Sequence, residues 1–221
     1  MIDFHTHSIL SDGALIPSEL VRRATVLGYR AIGLTDHVDG SNLDFLVPRA
    51  INVANDLNRF QETLVVPGAE ITHAPPRQIP SLVERARALG ALLVVVHGES
   101  PVEPVPPGTN WAGIESGVDI LAHPGFITPA EVEMAKAKGV FLEITARMGH
   151  NITNGHVARL CREIGAPMVI NTDTHSPENL ITRGRAVQIL VGAGLSDAEA
   201  EEVLENNERL FQRFSRLLRD V

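Results

Sequence analysis

Short apolar runs and amphipathic segments alternate along the whole chain. The apolar runs are five to eight residues long and read MIDFH, AIGLT, LVVPGAEI, ALLVVV, VDILA, VFLEI and PMVIN. Near-continuous apolar runs of this length are typical of strands that are buried on both faces of a parallel sheet. Because strands that alternate with helices connect by right-handed crossovers, the pattern predicts an α/β fold with parallel strands.

The helix boundaries carry recognisable capping signals. Ser196 and Glu199 have the spacing of a capping box, and they predict a long C-terminal helix over about 196–219. Thr128 and Glu131 have the same spacing at the start of TPAEVEMAKAKG. The segments PSELVRRATVLG and NGHVARLCREIG, each ending at a glycine, are predicted to be two further helices.

The chain is predicted to form one domain over residues 1–221. No composition shift marks a boundary, and the proline-rich stretch ESPVEPVPPGTN is interpreted as a rigid loop inside one repeat. Seven strand–helix repeats in 221 residues favour a compact barrel over an open sheet, although periodicity alone does not show that the ring closes.

Composition narrows the classes of partner. A net charge of −8 argues against tight binding to long nucleic acid or an anionic membrane surface. No stretch approaches the roughly 18 apolar residues of a membrane span, and MIDF lacks the basic start of a secretory signal. The single cysteine, Cys161, excludes an internal disulfide and is interpreted as part of the core. We therefore expect a cytoplasmic protein with no membrane partner.

Histidines and carboxylates follow the ends of the predicted strands. Six of the nine histidines lie there, namely His5, His7, His37, His97, His123 and His175. Three carboxylates hold similar places, namely Asp12, Glu70 and Asp173. Because all strands of a parallel barrel end on one face, these side chains are expected to converge from distant parts of the chain.

Their joint pattern indicates metal ions. Each residue alone has an ordinary interpretation, but this many imidazoles and carboxylates at one place would repel one another and lose hydration unless cations offset the cost. Imidazole with carboxylate and no thiolate suits Zn²⁺, Mn²⁺ or Fe better than Ca²⁺ or Mg²⁺. Nine ligands exceed what one ion needs, so two or three divalent ions are expected.

The ordered motifs resemble those of the PHP (polymerase and histidinol phosphatase) family. FHTHSILSDG is similar to its first motif and GLTDH to its second. HG at His97 and LAHPG are similar to its third, and NTDTH is similar to its fourth. The resemblance implies a distorted (β/α)7 TIM-like barrel with a trinuclear metal centre and phosphoesterase chemistry.

The resemblance also implies a distribution of ligands. His5, His7, Glu70 and Asp173 would hold a first metal ion, and Glu70 would bridge to a second that His97 and His123 also hold. Asp12, His37 and His175 would hold a third. Catalytic roles would fall to Glu70, His97, Asp173 and His175, around a hydroxide shared by two ions that attacks phosphorus in line.

The expected substrate is a small phosphorylated metabolite, a phosphomonoester. Three divalent ions with three carboxylates and one hydroxide leave a charge of about +2, which matches a monoester dianion. Histidinol phosphatases often have histidine where this chain has Asp12, so the resemblance does not extend to histidinol phosphate as substrate. Residues expected to contact substrate at the rim are His73, Arg147, Arg183 and Arg185.

Four residues near the predicted ligands are expected to have other roles or positions. Glu143 and Asp36 are candidates to accept hydrogen bonds from ligand imidazoles. His150 shares a loop with Arg147, and His156 is expected to be exposed on a helix.

Three alternative functions stay open. One is a phosphodiesterase or nuclease acting on nucleotides or short oligonucleotides. Another is an amidohydrolase-like enzyme that cleaves C–N bonds, although Lys136 and Lys138, the only lysines, both fall in a predicted helix. The last is a metal-stabilised scaffold or polymerase-assisting module without activity.

Overall fold

The computed structural model describes residues 1–218 as a nearly closed parallel barrel in a single domain. The strands are β1 (Ile2–Asp3), β2 (Ala31–Leu34), β3 (His37–Val38), β4 (Leu64–Ile71), β5 (Leu93–His97), β6 (Ile120–Ala122), β7 (Phe141–Thr145) and β8 (Met168–Asn171). Each of the seven apolar runs contains one main strand, and every pairing between neighbours is parallel. The predicted seven-stranded α/β barrel is confirmed.

The short strand β3 continues β2 rather than adding an eighth position. Both pair with β4 in one register, since Ala31 lies opposite Leu64 and His37 lies opposite Glu70. The interruption falls at Thr35 and Asp36, whose side chains turn toward the segment after β1. The break therefore lets a single barrel strand supply both a loop-holding carboxylate and the imidazole of His37.

Helices lie between the strands. They are α1 (Pro17–Val26), α2 (Leu43–Leu57), α3 (Ile79–Ala88), α4 (Thr109–Glu115), α5 (Pro129–Lys138), α6 (Asn154–Ile164), α7 (Arg183–Gly192) and α8 (Asp197–Leu217). The capping boxes at Thr128 and Ser196 are both formed. The predicted end of the last helix at 219 lies outside the described residues.

One loop prediction is corrected. The stretch ESPVEPVPPGTN is a loop only as far as Gly108, because Thr109 and Asn110 begin α4. Asn110 also ties the loops after β5 and β6 together: its side chain accepts from the Glu99 amide and donates to the Pro124 carbonyl, at 3.0 and 2.8 Å. The two residues are thus part of the frame beneath the site.

The last helix covers the amino ends of the strands. Leu210 and Phe214 belong to a buried apolar cluster with the first residues of most strands. The ring of Phe214 meets that of Phe4 edge-on at 5.2 Å between centroids, and both are fully buried. Because this end is filled by side chains, the opening at the carboxyl ends is the face left for chemistry.

Side chains close the seam between β1 and β8. A single backbone bridge joins Thr6 to Thr174, and elsewhere Asp3 accepts from the Thr172 amide and hydroxyl at 3.2 and 2.5 Å. Asn207 of α8 accepts from the Ile170 amide at 3.0 Å and donates to the Ile170 carbonyl at 2.9 Å. The first and last strands are therefore held together mainly by buried polar side chains.

No helix within residues 1–218 is both long enough and apolar enough to cross a membrane.

Replacing Asn207 is expected to weaken the fold. Asn207→Leu would leave the buried amide and carbonyl of Ile170 without partners, so the free energy of unfolding should fall by about 2–4 kcal/mol. Urea denaturation followed by circular dichroism measures this loss. Gln212→Leu, on an exposed position of the same helix, is the matched control and should change the free energy by less than about 0.5 kcal/mol. Equal effects of both substitutions would contradict the role assigned to Asn207.

Candidate metal centre

Two imidazoles and two carboxylates meet at the centre of the carboxyl end. Nε2 of His5 lies 3.2 Å from Oε1 of Glu70 and 3.6 Å from Oδ1 of Asp173. Nε2 of His7 lies 3.1 Å from the same Asp173 oxygen. All four residues are at least 97% buried. The structure thus brings together the residues assigned to the first ion from opposite ends of the chain.

Many atoms here have no hydrogen-bond partner among residues 1–218. They include Nε2 of His5, both ring nitrogens of His7 and of His123, Nδ1 of His150, Oε1 of Glu70, Oε1 of Glu143 and Oδ1 of Asp173. Each unsatisfied buried polar atom costs about 1–3 kcal/mol. Their concentration at one place is what a cation-binding site shows when the nitrogen and oxygen lone pairs face a common point.

Hydrogen bonds at the far side of the rings set the direction of these lone pairs. Nδ1 of His5 lies 2.8 Å from Oε2 of Glu143, which Asn171 also contacts at 3.0 Å. A carboxylate oxygen only accepts, so Nδ1 of His5 carries a proton, and Nε2 is the nitrogen that faces Glu70 and Asp173 and could bind a cation. Glu143 therefore orients a candidate ligand, the contact expected from the sequence.

A second group gathers His97, His123 and His150. Nδ1 of His97 donates to the Gly98 carbonyl at 3.1 Å, which leaves its Nε2 free to bind a cation. Gly98 is required there because an added Cβ would lie 2.3 Å from the Ala122 carbonyl oxygen. This close approach of the two loops places His97 and His123 beside each other, with ring centroids 4.4 Å apart.

A third group forms at the pocket edge from Asp12, His37 and His175, with His7 beside them. Oδ1 of Asp12 lies 3.4 Å from Nε2 of His37 and 3.2 Å from Nε2 of His175, and those two nitrogens are 3.4 Å apart. Nδ1 of His175 donates to the Asp173 carbonyl at 2.9 Å, and Nδ1 of His37 lies 2.6 Å from Oε2 of Glu70. Both Nε2 atoms consequently face the Asp12 carboxylate, so the three side chains surround a point that a cation could occupy.

Asp36 has a different role from the one expected. Its carboxylate contacts no imidazole among the described residues; it accepts hydrogen bonds from the Ser8 amide at 2.7 Å and from the Ser11 hydroxyl at 2.7 Å. These bonds hold the loop that carries Asp12. Asp36 therefore positions the third group through the backbone of residues 8–11 and not through a ring nitrogen.

The carboxylates are ionised in this setting. Burial alone would raise the pKa values of Glu70 and Asp173, but neighbouring imidazoles, His5 first among them, lower both. Burial likewise opposes the charge of Asp12, and the hydrogen bonds to His175 and His37 lower its pKa well below the usual range. Three anionic side chains therefore face the cluster of imidazoles.

The imidazoles divide into two classes. Burial lowers the pKa of His7 to about 4 and holds that of His123 well below its ordinary value, so both are neutral and able to bind a cation. Burial also opposes charge on His37, yet Glu70 and Asp12 outweigh it and raise its pKa to about 10. His5 is raised in the same way, by Glu143, Glu70 and Asp173. Protons on these two rings occupy places where a divalent cation would satisfy the same carboxylates.

The backbone is strained at the site. Among the described residues only three other than glycine have positive φ, namely His73 at 52°, His123 at 26° and Asp173 at 52°. Such conformations cost about 1–3 kcal/mol each and persist where the surroundings enforce them. All three residues lie within two residues of a strand end at the candidate centre. The backbone strain is therefore concentrated where it sets the direction of candidate site side chains.

The structure brings only two of the four expected substrate contacts to the pocket. A cavity of about 240 Å³ opens above the three groups, and its lining includes His73 and Arg147. Nε of Arg147 lies 3.9 Å from Oδ2 of Asp173. Arg183 instead contacts Glu201 and lines a cavity with Met1 and Ile2 at the amino end.

Arg185 is also absent from the lining of the 240 Å³ pocket, and it bonds Gln188 on its own helix. The structure therefore does not bring Arg183 and Arg185 to the pocket, because α7, on which both lie, begins near the amino end of the barrel. His156 is also corrected: it lies on α6 as predicted but is half-buried, with Nε2 2.7 Å from the Ile127 carbonyl.

Two residues of the pocket were not assigned as ligands from the sequence. His150 is buried on the turn after β7, with its ring centroid 4.3 Å from that of His123. Glu103, from the proline-rich loop, lies 3.1 Å from Nε2 of His97. The sequence feature that could have indicated both residues was their position in loops that follow strand ends. The conformation of such a loop decides whether its side chains turn toward the pocket.

A larger cavity lies elsewhere. It measures about 810 Å³ at the amino end of the barrel, where Arg30, Asn58 and Phe211 are among its lining residues. The candidate metal-binding groups found within residues 1–218 contribute no residue to its lining. The imidazoles and carboxylates of the smaller pocket, and not its volume, therefore identify it as the candidate site.

Comparisons of sequence place the chain among known proteins. The PHP domain matches residues 3–215. An uncharacterized protein of Methanocaldococcus jannaschii, MJ1295, is 51% identical over 204 residues, which cover 91% of this chain and 94% of the relative. A probable phosphatase of Syntrophotalea carbinolica is 23% identical over 222 residues, covering 88% of each.

Solved structures share the fold at low identity. A chain in the cryo-EM structure of archaeal ribonuclease P with mature tRNA has a TM-score of 0.76 at 16% identity, covering 99% of this chain and 93% of that one. Histidinol phosphate phosphatase of Lactococcus lactis, complexed with zinc, L-histidinol and phosphate, has a TM-score of 0.60 at 15% identity, covering 88% and 94%. With the domain match extending over nearly all its length, the chain belongs to the PHP domain family.

Proposed function

We propose that the protein is a metal-dependent phosphoesterase that hydrolyses a small phosphomonoester. The observation that carries the proposal is the convergence of buried, unpartnered imidazole nitrogens and carboxylate oxygens beneath one 240 Å³ pocket. The family, the probable phosphatase relative and the phosphate-bound structural neighbour support phosphate-ester chemistry.

The donor set fits two or three divalent ions of Zn, Mn or Fe. His5, His7, Glu70 and Asp173 would hold the first ion; Glu70, His97 and His123, with His150 adjacent, would hold the second; and Asp12, His37 and His175 would hold the third. Groups of ligand atoms within 4.8 Å of one another support this distribution; they are His5, His7 and Glu70; His5, His123 and Asp173; His97, His123 and His150; and His7, Asp12, His37 and His175. When bound, such ions supply Lewis acidity toward a phosphoryl oxygen and lower the pKa of a bound water.

The chain's own residues would orient the phosphate. Glu70 is central because its two oxygens face different groups: Oε1 lies nearest His5, and Oε2 lies 2.6 Å from Nδ1 of His37. Arg147 offers a guanidinium at the pocket wall, braced by a hydrogen bond of 3.2 Å to Asn179. We expect Arg147 to bind a phosphate oxygen, with His97, Asp173 and His175 around the reacting centre.

Charge and size favour a small monoester. Glu103 adds to the pocket a negative charge that was not predicted from the sequence, and Arg147 adds a positive charge. The two charges offset each other, so the net positive charge expected to match a monoester dianion is unchanged. A cavity of about 240 Å³ is below the usual range for drug-sized ligands and suits a phosphate group with a compact leaving group. Longer substrates would have to extend over the rim.

The geometry weighs against C–N hydrolysis of the amidohydrolase type. Lys136 and Lys138 lie on α5, and their ammonium groups donate to the carbonyls of Ile164 and Glu115. Neither lysine lines the pocket. A phosphodiester stays the main competing substrate class, and the test below separates the two.

A substrate panel tests the proposal. With Mn²⁺, Fe²⁺ or Zn²⁺ supplied separately, we expect turnover of an aryl phosphate and of a panel of phosphorylated metabolites, with aryl phosphodiester and aryl amide hydrolysed far more slowly. Glu70→Gln should lose this turnover because a neutral amide oxygen is a weaker ligand, while exposed Glu84→Gln should keep it. Preferential cleavage of the diester or amide, or full turnover by Glu70→Gln, would contradict the proposal.

Replacing Asp12 tests the third ion position. Its side chain is half-exposed, so Asp12→Ala should retain the fold and two ions but lose one ion and activity by a factor on the order of 10². Asp12→His should restore the ion and shift preference toward zinc, since a carboxylate favours harder cations. Elemental analysis and kcat under defined metal supply measure both effects. Three ions and normal kcat in Asp12→Ala would show that Asp12 is only a loop residue.

A further inference from the structure

Glu103 gathers three histidines at the mouth of the pocket. Its Oε2 lies 2.9 Å from Nε2 of His73 and 3.1 Å from Nε2 of His97, and its Oε1 lies 3.3 Å from Nε2 of His150. Atoms that share one ion are about 3.0–3.4 Å apart, because each bond is about 2.0–2.1 Å long. The two distances from Oε2 of Glu103 are close to this spacing, and one ligand atom each of His73, His97 and Glu103 lies within 4.8 Å of the other two.

His97 belongs to two such trios. Its ring nitrogen groups with His73 and Glu103 at the mouth, and with His123 and His150 in the interior. Because Nδ1 of His97 donates to the Gly98 carbonyl, only Nε2 is free, and one nitrogen lone pair binds one cation at a time. The two trios are therefore alternative positions for the same ion.

Exposure differs sharply between the two positions. The side chains of His73 and Glu103 are 39% and 38% exposed, whereas His123 and His150 are 2% and 6% exposed. A hydrated ion can bind the outer trio while keeping several of its waters. The inner trio offers buried nitrogens, including both unpartnered nitrogens of His123, to an ion that has lost its waters of hydration.

We propose that His73, His97 and Glu103 form an uptake site through which a divalent cation reaches the inner position of His97, His123 and His150. In the transfer, His73 and Glu103 release the ion while His97 stays bound, and His123 and His150 replace them. No electron is transferred. The proposal rests on the metal centre of the proposed function, and it assigns Glu103 a role in loading that centre.

Metal uptake by the stripped protein tests the inference. The full chain is freed of metal with a chelator and mixed with limiting Co²⁺, and the visible absorption of bound Co²⁺ is followed by stopped flow. Elemental analysis then counts the ions at saturation. Glu103→Gln should slow uptake at least about tenfold, because the local carboxylate that captures the ion is gone. The count at saturation should equal that of the unaltered chain.

Glu99→Gln is the matched control. It removes the same charge from the same loop, and the glutamine oxygen can still accept from the Gly108 and Asn110 amides as Glu99 does, at 2.9 Å each. Its uptake rate should match the unaltered chain. His73→Gln, at an exposed position, should also slow uptake, as Glu103→Gln does. Having two variants keeps the test valid if one of them folds poorly.

The outcomes separate this inference from the proposed function. Normal uptake by Glu103→Gln overturns the uptake site, and so does a permanent loss of one ion, which would make Glu103 a resident ligand. Slow uptake by Glu99→Gln would assign the effect to overall charge and also overturn it. Glu103-dependent uptake in a protein that hydrolyses no phosphate ester would leave the uptake site intact and contradict only the proposed function.

Discussion

The structure depends on one electrostatic constraint: imidazole lone pairs and carboxylates are packed together out of water. Glu70 is fully buried with His5 on one side and His37 on the other. Carboxylates without cations and imidazoles without proton partners cannot be buried in such numbers at low cost. Cations that occupy the points where these lone pairs meet would replace the repulsion between ligand atoms with attraction to a positive charge. The fold brings the ligands together at those points.

The barrel holds these groups in place with rigid supports. Glu143 and the carbonyls of Gly98 and Asp173 accept from the far ring nitrogens, so the near nitrogens are aimed before any ion arrives. Positive φ at His123 and Asp173 shows that the frame enforces these directions against a local backbone cost. A site prepared in this way binds ions without reordering flexible side chains, and the stability that ions add should in turn protect the seam between β1 and β8.

Much of the fold was predictable because its signals are local. Each apolar run contains a main strand, and the Thr128 and Ser196 capping boxes form as their spacing indicates. The convergence of histidines followed from one topological rule, since parallel strands end on one face. No helix was predicted over the span of α2, which contains Pro48, a residue without the amide that an interior helical hydrogen bond needs.

What escaped prediction was set by non-periodic segments. Arg183 was expected at the rim because it lies in the segment that follows the last strand, yet it lines a cavity with Met1 and Ile2 at the amino end. Glu103 lies in a proline-rich loop, and only the three-dimensional path of that loop directs its carboxylate to His97. Asp36 adjoins a candidate ligand in sequence, but the break between β2 and β3 turns it toward Ser8 and Ser11.

Divalent ions are expected to occupy the points where these imidazole and carboxylate atoms meet. Anomalous diffraction from crystals of the full chain, recorded at the absorption edges of zinc, manganese and iron, tests this expectation most directly. We expect separate peaks within about 2.0–2.2 Å of Nε2 of His5 and of Nε2 of His175. Well-ordered rings with no peak between them, in crystals grown with excess metal, would contradict it.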